Sequence, residues 1–306
     1  MGGHHSHTNH HHHPVLSGKK LLLSIVLNSV ITISQLVFGF ISGSLALISD
    51  AVHNFSDVIA LILSYVANRL SLRKKQTTKQ TFGYKRAEII AAFINAVTLI
   101  VIGVWLAIEA VQRFSEPQII NGTIVIWMAF LGILVNGFSV LLLKGDADHN
   151  LNMKAAYLHL LTDMLTSVVV LIGGMLITFY KVYWVDAVLT ILIAIYLVYM
   201  SWSIVVDSLK ILMLFAPDHL VIAAIEKEIL TIKSVKNIHH VHLWQLNDHD
   251  CHFEAHIEFN EDIRLSDFDL YCVRIERLLK DKFGINHTNF QPEFKRDDDK
   301  KYIVQD

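Results

Sequence analysis

SLALISDAVHNFSDVIALILS, residues 44–64, is apolar enough to lie in a bilayer, yet it carries Asp50, His53 and Asp57. The His53-x-x-x-Asp57 spacing stacks the imidazole and the carboxylate on one face of a helix. Ionisable groups at membrane depth are costly and mark an ion route or a bound ion. The pattern recurs in AAYLHLLTDMLTSVVV, residues 155–170, as His159-x-x-x-Asp163. Two imidazoles and two carboxylates make a complete four-donor shell for a divalent metal such as zinc. One copy alone is equally a polar contact between helices or a carboxylate beside a water cavity. Two identical copies in two membrane segments favour a shared ion. Asp50 falls about two turns before Asp57 on the same face. It reads either as the mouth of a route to the site or as a cap or lipid-interface group.

Working outward, apolar runs set the fold. The chain has 306 residues, 53% hydrophobic and 18% charged, against roughly 25% charged in soluble domains. Uncharged or nearly uncharged runs predict six transmembrane helices near 20–41, 44–70, 86–112, 119–143, 153–180 and 184–208. Arg69, Arg73, Lys74, Lys75, Lys79, Lys85 and Arg86 crowd the connection between the second and third of these. The alternate connections hold few cations, so the positive-inside rule puts both termini in the cytoplasm. The net charge of −2 gives no basic field for nucleic acid. Two cysteines, Cys251 and Cys272, cannot build a disulfide framework and suit a reducing compartment.

After Asp207 the composition turns charged. Asp218 is expected to cap a helix through about Ile232. Val235–Leu246 and His252–Phe259 read as strands around the Asn247–Asp250 turn, Ser266–Phe283 as an amphipathic helix, and Ile285–Phe294 as a last strand. The order α-β-β-α-β predicts a small cytosolic α+β, ferredoxin-like domain with helices on one face of a sheet. The expected divisions are a flexible histidine-rich tail (1–18), a six-helix transmembrane domain (19–208), the α+β domain (209–296) and a charged C-terminal tail (297–306). Strand alternation puts His240 and His242 on one face and His239 on the other.

The start of the chain, residues 1–14, holds seven histidines and no apolar run, so it is not a signal peptide. It reads as a flexible metal-collecting tail, or else as an expression tag; the interrupting Ser6, Thr8 and Asn9 favour the first. Asn28, Gln35, Glu88 and Asn95 are polar positions on membrane helices, expected to make interhelical hydrogen bonds.

These features together resemble the cation diffusion facilitator family, in its bacterial zinc-exporting branch. The local stretches that carry the resemblance are Ser44–Asp50, Thr81–Glu88 and Asn152–Asp163, and it extends over nearly all of the chain after residue 20. The resemblance implies a homodimer in a bacterial inner membrane that exports zinc from the cytoplasm against protons, with cadmium and cobalt as further cargo. It implies His53, Asp57, His159 and Asp163 as transport ligands. It also implies a cytosolic zinc group around His239 and His256, with Asp269 and Glu293 as weaker candidates. His240, His242, His249 and His252 are better read as solvated. Two departures stand out. Leu72–Gln80 lacks His, Asp and Glu, so a second loop site is expected to be absent, and Gln291 stands where some relatives place a histidine.

Charge accounting points the same way as the resemblance. Zinc with two carboxylates and two neutral imidazoles sums to zero. The emptied shell would keep two buried negative charges, so protons are the natural replacement. No cofactor is expected; zinc is the substrate and a ligand of the cytosolic domain. Two other function classes remain. An intramembrane metalloenzyme would need an open metal position and a base, as in H-E-x-x-H, which is absent. A membrane-bound zinc sensor or buffer would bind without moving the ion.

Overall fold

A computed structural model of the chain describes residues 15–71, 78, 80–116, 118–147, 151–247 and 250–302. The histidine-rich tail, most of the Leu72–Gln80 loop and His249 lie outside the described residues. The elements run α1 (Val15–Ser42), α2 (Leu45–Ser71), α3 (Ala87–Ser115), α4 (Gly122–Ala147), α5 (Leu151–Tyr180), α6 (Trp184–Leu212), α7 (Ile222–Ile229), β1 (Val235–Gln245), β2 (Cys251–Phe259), α8 (Leu265–Phe283) and β3 (His287–Glu293). The long helices follow the apolar runs, with ends displaced by a few residues. Helical hydrogen bonding continues where apolar side chains stop. Thus α1 begins inside the segment expected to be a flexible tail, and α6 runs past residue 208 to Leu212.

Among the described residues, five helices are long and apolar enough to cross a membrane: α1, α3, α4, α5 and α6. The sequence predicts six. α2 is not among the five.

The chain forms two compact units, residues 1–59 with 98–200, and residues 60–97 with 201–306. In the first, α4 packs on α5 and on α1. Leu47, Val125, Ala129, Val170, Ile177 and Leu197 form its main apolar cluster. Gly43 makes the turn between α1 and α2 at φ +75°, where a side chain would be strained. The start of α2 is held from two sides. Ser44 Oγ accepts the Leu47 N–H at 3.1 Å, as a helix cap does. Asp186, buried on α6, accepts the Leu45 N–H at 2.8 Å, the Ala46 N–H at 3.4 Å and the Ser44 hydroxyl. The Arg113 guanidinium of α3 donates to the Gly43 carbonyl.

In the second unit a three-stranded sheet has the order β1-β2-β3, with β1 antiparallel and β3 parallel to β2. Phe253, Ala255, Ile257 and Phe259 alternate along β2 into one core with Ile225 and Ile229 of α7 and Ile275 and Leu279 of α8. The opposite face of β2 carries His252, Glu254, His256 and Glu258. Asp218 does not cap α7. Val221 precedes that helix without a side-chain cap, and Asp218 accepts from Lys210 Nζ at 2.7 Å instead. The turn at 81–86 lies against the sheet end, with Lys85 Nζ 2.8 Å from Asp250 Oδ2 and the Phe82 ring edge-on to His252.

Candidate metal centre

In the first unit α2 and α5 bring their paired patterns together. His53 Nε2 lies 3.9 Å from Asp57 Oδ2 and 3.8 Å from Asp163 Oδ1. His159 Nε2 lies 3.4 Å from Asp57 Oδ2 and 3.5 Å from Asp163 Oδ2. Each imidazole thus faces both carboxylates, and the four groups alternate around a ring. Tetrahedral donors about 2.0–2.1 Å from zinc stand roughly 3.3–3.4 Å apart. The four neighbouring separations are at that value or about half an ångström beyond it, whereas the donors across the ring stand farther apart, so the shell would have to draw in across the ring to hold one ion. Asp57 Oδ2 and both oxygens of buried Asp163 accept no hydrogen bond. Carboxylate oxygens buried without donors call for a cation or a proton. The ring is closed at Asp163, whose side chain is fully buried, and open at His159, whose side chain is 40% exposed. The Tyr196 ring of α6 packs edge-on to His53, with centroids 6.0 Å apart. Asp50 is not a member of this ring; it sits one turn before His53 on α2.

In the second unit the face of the sheet away from α7 and α8 carries a second group: His239, His256, Glu293 and Asp298 present donor atoms all within 4.8 Å of one another. His239 Nε2 is 3.1 Å from Glu293 Oε2 and 3.4 Å from Asp298 Oδ2, and His256 Nδ1 is 2.9 Å from Glu293 Oε1. Asn237 Oδ1 sits 3.0 Å from His239 Nδ1. With that nitrogen donating, Nε2 turns a lone pair toward two carboxylates, an arrangement that needs a cation between them. Lys300 supplies one: its Nζ lies 3.1 Å from Glu293 Oε2 and 3.4 Å from His239 Nε2, and it pairs with Asp298. Burial pushes the His256 imidazole below its ordinary value despite Glu293, favouring the neutral, metal-binding form.

The structure brings His239, His256 and Glu293 together but leaves Asp269 out. Asp269 is exposed on α8, one residue from inward-facing Phe268. Asp298 takes the fourth place. His240 also departs from simple alternation. The β1–β2 ladder slips between His239 and His242, and His240 sits there at φ +48°, a bulge. The slip lets His240 stack on His256, ring centroids 4.6 Å apart, on the same face as His239. The C-terminal segment covers that face. The His240 and Val241 N–H groups donate to the carbonyls of Lys301 and Tyr302 at 3.0 and 2.7 Å. Asp298, Asp186 and Lys300 were missed from sequence. Burial pushes the Cys251 and Cys272 thiols up to about 11, so neither offers a thiolate at neutral pH.

The docked segment should respond to acid. The hydrogen bond from Lys300, opposed by slight desolvation, holds the Asp298 carboxyl at about 2. A carboxyl lowered on folding lends stability that is present above its unfolded value, near ~3.9, and is lost as the pH falls through the folded one. Amide protection at His240 and Val241 should therefore hold at about pH 5 and fall between about pH 4 and 2. Protection factors that stay level across that window would show that Asp298 does not hold the segment.

Two family matches cover most of the chain. The cation efflux transmembrane domain matches residues 21–213, and the cation efflux protein cytoplasmic domain matches residues 217–294. The zinc transporter ZitB of Pectobacterium atrosepticum is 34% identical over 301 residues, which is 98% of this chain and 91% of that protein. A cadmium, cobalt and zinc/H(+)-K(+) antiporter of Bacillus subtilis is 34% identical over 277 residues, 90% of this chain and 88% of its own length. The metal cation efflux system protein CzcD of Cupriavidus metallidurans is 33% identical over 291 residues, 95% and 90% of the two chains.

Proposed function

The chain belongs to the cation efflux, or cation diffusion facilitator, family, in its bacterial zinc-exporter branch, and from that premise we propose that it carries zinc out of the cytoplasm in exchange for protons. His53, Asp57, His159 and Asp163 are the transport ligands. The observation that carries this reading is the alternating ring of two imidazoles and two carboxylates, with three carboxylate oxygens buried and accepting no hydrogen bond. Two nitrogen donors favour zinc, cadmium and cobalt over manganese and magnesium, which prefer oxygen. Three relatives bear names that include zinc or metal cation transport. Zinc neutralises the two carboxylates. When it leaves, protons must take its place or two bare charges stay in the membrane.

In this reading α2 is a sixth span beside the five apolar ones. The cation-rich connection after it faces the cytoplasm of a bacterial inner membrane, as do both termini. The division at 19–208 and 209–296 separates transport from a ferredoxin-like cytosolic domain, and two copies of the chain form the working dimer. His239, His256, Glu293 and Asp298 would hold a cytosolic zinc ion that tightens that dimer, and the histidine-rich start would collect zinc.

The test is zinc flux into proteoliposomes of the full chain, with pH followed on both faces. Zinc should cross, protons should move the opposite way, and acid on the receiving side should accelerate the flux. Zinc that binds but never crosses would make the protein a sensor or buffer. Flux that ignores the pH gradient would leave transport uncoupled.

A further inference from the structure

Asp50 is a buried carboxyl that the zinc shell does not use. It lies one turn before His53 and is 1% exposed. Its hydrogen-bond donors are neutral: Gln35 Nε2 of α1 at 3.2 Å, Thr166 Oγ1 of α5 at 2.9 Å, and the Ser167 hydroxyl of α5. The Thr166 hydroxyl also lies 2.9 Å from the backbone carbonyl of Asp163, so it stands between Asp50 and the helix turn that carries a zinc ligand.

The bundle that holds Asp50 carries a seam of further buried polar side chains, of which Gln35 and Ser167, with half-buried Thr166, are the ones that reach it. Asn28, Thr32 and Gln35 recur at helical spacing on α1, Asn136 and Ser139 on α4, and Ser167 on α5, and all are buried. All but Ser167 have a side-chain atom that makes no hydrogen bond: Asn28 Oδ1, Thr32 Oγ1, Gln35 Oε1, Asn136 Oδ1 and Ser139 Oγ. Gly132 of α4 lets that helix approach these side chains closely. A Cβ there would lie 2.9 Å from Ser167 Oγ and 3.0 Å from Gln35 Nε2. Buried polar groups without partners are paid for only when water satisfies them. Aligned carboxyl, hydroxyl and amide groups at membrane depth are the material of proton relays.

We propose that Asp50 is a proton-carrying residue of transport, loaded through water in the seam between α1, α2, α4 and α5 and separate from the zinc ligands. The inference rests on the proton-coupled reading given above and adds a residue to it. No bond is made or broken except O–H. A hydrated proton passes to an Asp50 oxygen and returns to water on the other leg of the cycle. The titratable groups that face Asp50 are Asp163 on α5, which interacts with it electrostatically, and His53 and Asp57, one and two turns along its own helix. Residues 28–42 of α1 and 122–143 of α4 contain none.

Asp50→Asn in the full chain separates this role from zinc binding and from folding. The amide keeps the shape and one acceptor oxygen for Thr166, and its NH2 group can donate to Gln35 Oε1 once the Gln35 amide turns over. Zinc affinity in detergent and zinc-for-zinc exchange at equal pH should stay near wild type. Acceleration of zinc flux by external acid should be lost, with fewer protons moved per zinc. Gln35→Ala, which keeps the carboxyl but alters its donors, should keep coupling and shift the midpoint of the pH profile. An Asp50→Asn protein that responds to the pH gradient like wild type overturns the proposal. So does one that loses zinc binding and exchange together with the pH response, since the residue would then be structural. A wild-type protein without proton coupling would overturn the parent reading as well, which distinguishes the two failures.

Discussion

Asp163→Ala should abolish zinc transport while leaving the chain folded in the membrane. Asp163 is the most enclosed member of the ring, and both its oxygens point at imidazoles without accepting a hydrogen bond. Loss of an outer partner of a metal ligand typically costs 10–100-fold, so loss of a ligand itself should lower flux by more than ~100-fold. Stability should move little or rise. The substitution removes a buried carboxylate whose only ion-pair partners among the described residues are the two histidines. Flux in proteoliposomes and thermal unfolding in detergent read the two effects separately. Near-normal flux would remove the ring from the transport path. A collapse of stability with the flux would recast Asp163 as a structural residue.

Asp186→Ala should act in the opposite way, through structure first. Asp186 takes two N–H groups and a hydroxyl at the start of α2, and among the described residues no other acceptor is placed for the Leu45 and Ala46 amides. Unpairing them in an apolar surround should cost on the order of 3 kcal/mol. Because His53 and Asp57 ride on α2, zinc affinity should fall with it. Asp186→Asn keeps one acceptor oxygen and should recover part of both losses. An alanine variant that melts with wild type would show that the α2 start is held mainly by Ser44 and Arg113.

What could be read beforehand follows physical lines. The long helices were legible because a bilayer demands about 20 apolar residues per crossing. His53, Asp57, His159 and Asp163 were legible because charge is rare at that depth, so a repeated spacing stands out. Asp186 was not. In the first turn of α6 it reads as an ordinary partner of its own helix dipole, whereas its carboxylate caps another helix 140 residues earlier in the chain. The cytosolic group was half legible. Strand positions point to His239 and His256, but the bulge at His240 has no Gly or Asn to announce it. Asp298 lies in Arg-Asp-Asp-Asp-Lys-Lys, residues 296–301, which reads as a solvated charge run. Asp269 failed because the helix face that buries Phe268 turns Asp269 outward.

Lys300 gives the cytosolic group a competitor that never diffuses away. Its ammonium reaches Glu293, Asp298 and His239 from the same chain, a few residues from two of them. A group tethered by a short link is present at an effective concentration on the order of millimolar, whatever the surrounding solution holds. An ion arriving at those ligands therefore meets an opponent of constant strength. On the proposed reading, the zinc level at which the domain would fill is thus set by the charge of its own C-terminal segment.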